Sequence, residues 1–130
     1  MIGAPNENVD GIRDAGAATV LYGSESGLST TGARRWSRAS AGIKGALGHD
    51  DTFGKDLVIL GARHRSGVLV AGVPDDDLRG AIRAGSVTVI RGSAKGLTAA
   101  GDQYLDQRSP HLPGQPEEWD QFGTLLSSDH

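Results

Sequence analysis

Asn6-Glu7-Asn8-Val9-Asp10-Gly11 places oxygen ligands at alternate positions ahead of a glycine, the pattern of the first half of a calcium loop. The second half does not follow, because Ala17 stands where the bidentate acid belongs. A second acidic stretch, Asp75-Asp76-Asp77-Leu78-Arg79-Gly80, puts Arg79 at a ligand position. Both stretches read first as polar turns whose Asn and Asp side chains bond their own backbone, with weak cation binding by Asn6, Asn8 and Asp10 as the alternative. Residues 48–56 carry the glycines and lysine of a phosphate loop, but five residues separate Gly48 from Gly54, and Asp56 replaces the magnesium-binding hydroxyl. Gly23-Ser24-Glu25-Ser26-Gly27 has Glu25 rather than serine at its centre, so it is a turn and not a nucleophile elbow. His49, His64, His111 and His130 show no paired spacing for zinc and read as surface residues. His49-Asp50-Asp51 contains an acid and a base with no third group in sight. On this reading the chain has no catalytic residue, no cofactor site and no metal ligand set, and it is not an enzyme.

The elements that would position these loops come from an internal repeat. Residues 1–61 align without a gap on residues 70–130, at an offset of 69, with 18 identities. Average residue usage would give about four by chance. The identities fall in blocks: Gly3/Pro5 on Gly72/Pro74, Ala15-Gly16 on Ala84-Gly85, Thr19-Val20 on Thr88-Val89, Gly23-Ser24 on Gly92-Ser93, Gly27-Leu28 on Gly96-Leu97, and Phe53-Gly54 on Phe122-Gly123. Within one period, short β-branched or alternating runs closed by Gly-Ser or Gly-Val-Pro predict strands at 17–22 and, in the second copy, at 53–60, 67–73, 85–92 and 102–108. The last four form a four-stranded antiparallel meander. Long polar loops, 74–84 and 109–121, carry the rest. Phe53 and Phe122 are expected to fill the layer between adjacent sheets. Trp36, Tyr104 and Trp119 are placed in outer-strand and connecting regions, again as packing residues.

The motif order is Phe53-Gly54, then Ala71-Gly72-Val73-Pro74, then Gly80, then 84–89, then Gly92-Ser93 and Gly96-Leu97. It resembles the FG-GAP repeat of integrin alpha subunits, and more closely the secreted FG-GAP repeat proteins of high-GC bacteria. The resemblance implies all-β propeller blades: a partial blade at 1–51, a complete blade at 52–108, and at 109–130 an interblade loop and the start of a third, without a closed propeller. It also implies an extracellular location, although the N-terminal residues show neither the basic nor the apolar part of a signal peptide. The family often has an acidic calcium loop between its first two strands. Here that position, 61–67, reads Gly-Ala-Arg-His-Arg-Ser-Gly, so the calcium role does not carry over.

Composition narrows the function further. Leu, Ile, Val and Phe supply only 28 of 130 residues against 20 glycines, so the core is thin. Thirteen basic and sixteen acidic residues leave no basic surplus, which argues against nucleic acid or an anionic membrane as partner. No apolar run reaches the length of a membrane span, and the absence of cysteine excludes disulfides and thiolate sites. The expected function is a structural or protein/glycan interaction module. The rivals are an accessory propeller piece of a secreted hydrolase and a truncated open reading frame without independent function. Stacked blades normally need about three units, so the expected partners are further blades or other copies of the chain. Because the 61–67 loop lacks carboxylates, adding calcium or a chelator is expected to leave the melting temperature unchanged in differential scanning fluorimetry; a calcium-dependent rise of several degrees would identify a ligand cage, with the Asn6 to Asp10 loop as first candidate.

Overall fold

The computed structural model describes residues 1–61 and 67–128. Among these residues the regular structure is all β, in two antiparallel sheets with no helix and no closed barrel. The first sheet has three strands in chain order, β1 (Ile2–Ala4), β2 (Ala17–Ser24) and β3 (Gly27–Trp36). The second has four, β4 (Leu57–Leu60), β5 (Val68–Val73), β6 (Ser86–Ser93) and β7 (Gly96–Leu105), in the expected meander. Most of the 61–67 loop, with His64, lies outside the described residues, as does His130.

Two strand boundaries differ from expectation, each for a local reason. The strand predicted over 53–60 starts only at Leu57, because Thr52 (φ 58°) and Gly54 (φ 81°) take left-handed conformations that an extended strand does not admit. The strand predicted over 102–108 runs instead from Gly96 to Leu105. At its start, the Ser93 hydroxyl donates to the Gly96 carbonyl (2.8 Å) and Gly96 (φ 103°) reverses the chain after two residues. At its end, the Asp106 carboxylate accepts from the Arg108 amide (2.7 Å) and turns the chain out of the sheet.

The repeat is written in the backbone as well as in the sequence. Non-glycine residues in the left-handed region recur at the offset of 69: Asp14 (φ 50°) with Arg83 (φ 51°), Asp50 (φ 61°) with Trp119 (φ 68°), and Thr52 (φ 58°) with Gln121 (φ 50°). Since none of these pairs shares a residue type, common geometry and not glycine composition produces the match. The irregularity between Val20 and Tyr22 likewise recurs between Val89 and Arg91.

The main core lies between the sheets. Ala18 and Val20 of β2 and Trp36 of β3 meet Leu69, Ala71 and Val73 of β5 and Ile90 of β6, with Phe53 and Ile43 from the connecting segment. Phe53 is fully buried, worth about 1.5–3 kcal/mol of apolar transfer. Trp36, at the end of the outer strand β3, is a packing residue as expected and is buried in the core, whereas Trp119 is 60% exposed rather than packed inside.

The Phe-Gly dipeptide is what joins one unit to the next. The Phe53 amide donates to the Ala15 carbonyl (3.0 Å), while the Gly54 amide donates to the Gly72 carbonyl (2.9 Å), so two residues bridge both sheets. A side chain at Gly16 would fall on the Phe53 backbone, and one at Gly3 on the Gly54 carbonyl. The second copy repeats the contact on its own sheet: the Phe122 amide donates to the Ala84 carbonyl (2.8 Å), with Gly85 and Gly72 forming the seat. Gly16→Ala and Gly11→Ala both add a side chain at positive φ, but only Gly16 meets another backbone. Urea denaturation is expected to show a loss of about 1–2 kcal/mol for Gly11→Ala and a distinctly larger loss, or no folded protein, for Gly16→Ala; equal losses would mean that the Phe-Gly contact is not tight.

Candidate functional site

The sequence-nominated loops resolve first. The Asn8 side-chain oxygen accepts from the Asp14 amide (3.0 Å), and at the equivalent position the Asp77 carboxylate accepts from the Arg83 amide (2.8 Å). These are the polar turns expected from residue type. Among the described residues no three His, Asp or Glu side chains converge to hold a metal ion. The His49-Asp50-Asp51 side chains diverge: His49 Nδ1 accepts from the Arg13 amide, Asp50 pairs with the Arg13 guanidinium (2.8 Å), and Asp51 turns inward to accept from the Gly48 amide (2.8 Å). The segment 48–56 is the connection between sheets, and Gly23 to Gly27 forms the β2–β3 turn, where the Ser24 hydroxyl donates to the Gly27 carbonyl (2.9 Å).

Two polar sites lie where the sheets meet. In the first, Arg38, which follows β3, reaches across the interface with a fully buried side chain. Its Nη2 donates to Asp76 Oδ2 (3.1 Å) and Ser86 Oγ (2.6 Å), and its guanidinium lies 4.8 Å from the centre of the Tyr104 ring. The same Asp76 oxygen accepts from Ser86 Oγ and from the Tyr104 hydroxyl (2.9 Å). Three donors on one carboxylate oxygen meet much of the desolvation cost of the buried ion pair. Removing either partner alone would leave an uncompensated buried charge, which costs about 3–5 kcal/mol. Burial and the Asp76 charge push the Tyr104 phenol up to about 12, so it stays a donor.

Asp51 borders this cluster and is almost fully buried. Desolvation, reinforced by the negative charge of Asp76 and opposed by Arg38, raises its carboxyl to about 7.

The second site is a polar cavity of about 270 Å³ between the loops of the two units, lined by Asp14, Asp50, Thr52, Lys55, Asp75 and Arg83 among others. Buried Asp75 accepts from Thr52 Oγ1 (2.9 Å) and Gln121 Nε2 (2.7 Å), with Arg83 Nη1 at 3.7 Å and Lys55 Nζ at 4.0 Å. Arg83, which lines the cavity, in turn lies 4.8 Å over the ring of Trp119, whose indole is otherwise exposed.

Residue type and spacing had nominated Asp75 and Asp76 only as loop residues, and Arg38, Ser86 and Gln121 not at all. Their partners come from separate strands and loops, so no local spacing marks them. No family model, curated protein or solved structure matches the chain.

The raised Asp51 carboxyl fixes a pH dependence. The folded state holds the proton to about pH 7 while the unfolded chain releases it near 3.8, so the folded state binds more protons between these values and stability falls as pH rises through that window. Thermal melts across this range are expected to show the decline in the wild type and a flatter profile in Asp51→Asn, whose melting temperature is higher than wild type above pH 7. An unchanged slope would remove Asp51 as its source.

Proposed function

We propose that this chain is a non-catalytic interaction module built from FG-GAP-like propeller blades, and that it holds a glycan at the corner formed by Asp75, Arg83, Gln121 and Trp119. The observation that carries this reading is the exposed Trp119 indole stacked on Arg83, a lining residue of the polar cavity. A flat apolar ring accepts the C–H face of a sugar, while fixed carboxylate, amide and guanidinium groups next to it match hydroxyls that both donate and accept. The charges at the corner are of both signs, which suits a neutral polyol better than an anion. The blade architecture is supported by the twofold recurrence of the Phe-Gly seat, on Gly16 and on Gly85.

Binding of the labelled chain to a glycan array is expected, with retention lost in Trp119→Ala and Asp75→Asn while far-ultraviolet circular dichroism stays unchanged. Retention indifferent to Trp119→Ala, or none on any glycan, would sink the site. Asp51 supports one second reading, an acid/base group titrating near neutrality beside Arg38 and Asp76. Turnover of chromogenic glycosides or phosphodiesters that Asp51→Asn abolishes would favour that reading over a binding module.

A further inference from the structure

We propose that the chain associates head to tail with other copies of itself, the outer face of its four-stranded sheet receiving the outer face of the three-stranded sheet of a second copy. The junction inside the chain is the template. On the three-stranded side it is made by Ala18, Val20, Trp36, Ile43 and Phe53. Shifted by 69, these positions are Val87, Val89, Leu105, Leu112 and Phe122, all apolar. Val87 and Val89 alternate with Ile90, which faces the first sheet, and Leu105 is paired with Val87, so these three stand on the opposite face, where Val87 is already buried against Gly123 and Val89 and Leu105 are not. Val89, Leu105 and Phe122 are only half-buried. The complementary side of the inner junction uses Leu69, Ala71, Val73 and Ile90; shifted back by 69, the last three become Ile2, Ala4 and Leu21, and Ile2 is 57% exposed.

The polar positions follow the same mapping. Arg38, which crosses the inner junction to Asp76, Ser86 and Tyr104, corresponds to Gln107, and its three partners correspond to Glu7, Ala17 and Arg35. Gln107 Oε1 is buried without a hydrogen-bond partner, while Arg35 and Glu7 pair on the surface at 3.2 Å. In the assembly the Gln107 side chain turns outward to meet this pair, its carbonyl oxygen, buried and unpaired within one copy, taking a guanidinium proton.

Strand pairing agrees. In the four-stranded sheet Leu57 lies opposite Ala71, whose counterpart is Ile2; the counterpart of Leu57 is Leu126, just beyond the docked Phe122-Gly123. The same register sets Leu126 of one copy opposite Ile2 of the next, supplying a fourth strand to the free edge of β1. The two faces differ, so the contact is heterologous: it propagates, and closes into a ring only if its rotation permits.

The inference rests on reading the two sheets as successive blades, and is independent of the glycan corner. Sedimentation velocity of the wild-type chain is expected to show species larger than monomer that grow with concentration. Val89→Asp and Ile2→Asp, one on each face, are each expected to be monomeric alone and to form a dimer, and nothing larger, when mixed. Leu112→Asp serves as a second variant of the first face should Val89→Asp unfold by circular dichroism. A wild-type monomer at high micromolar concentration, or a mixture that stays monomeric although both variants are folded, would overturn the proposal. Amide exchange then separates the two readings: a protected Phe122 amide in that monomer leaves the blades standing, and an unprotected one removes both.

Discussion

The close approach of the Phe-Gly backbone to glycine is the constraint on which the rest of the structure depends. Gly16, at φ 83°, leaves room for Phe53 N and O to sit where a side chain would stand, and Gly3 does the same for the Gly54 carbonyl. Only through these gaps can the connecting segment lie flat on the first sheet while its next residues pair with the second. Phe53 is thereby delivered between the sheets with its backbone amide satisfied, so that a thin core closes around one large ring. With few aliphatic residues to spend, the fold relies on a fixed backbone contact to hold the sheets at packing distance.

The Arg38 cluster gives that packing a single register. Apolar faces of Ala, Val and Leu slide over one another at modest cost, whereas a buried guanidinium aimed at one carboxylate, one hydroxyl and one aromatic ring, with its Nε left unpaired, keeps those partners in only one alignment. Asp51 sits beside it, and its burial pulls the other way by resisting ionisation. The cluster's two carboxyls therefore have distinct roles. Asp76 gathers three donors on one oxygen and fixes the alignment, while Asp51, raised by burial, is the group that responds to pH.

Much of this was legible in the sequence because it is local or periodic. Gly23-Ser24 and Gly27, with their counterparts at Gly92-Ser93 and Gly96, announced the hairpin turns; β-branched runs announced β5 and β6; and the offset of 69 announced the seat of the Phe-Gly dipeptide. Boundaries were lost where a left-handed backbone broke a plausible strand, as Gly54, following left-handed Thr52, does ahead of β4. The polar sites were lost for another reason. Arg38, Asp51, Asp76, Ser86 and Tyr104 come from the end of one sheet, a connection, a loop and two strands, and only the stacking of the sheets brings them together. Trp119 is the reverse case: its residue type suggested packing, but Asp50 at the equivalent position shows that this point of the repeat faces outward.

The two copies have diverged most where the inner junction and the outer face need different things. A junction that is always closed gains from an Arg–Asp pair, since the charges are never exposed unmatched and the pair excludes other alignments. A face covered only on the association proposed above would carry a different cost, because a buried cation without its anion would destabilise the uncovered state. Gln107 replaces Arg38 at that point, and a neutral amide with one unmatched oxygen costs far less to leave waiting. On the opposite face Ala17 replaces Ser86 and Arg35 replaces Tyr104, which moves the charge to a surface pair with Glu7 that is stable in water on its own. The apolar positions meanwhile stay apolar in both copies. Under that proposal one repeat suits permanent burial and the other a face that tolerates both solvent and contact.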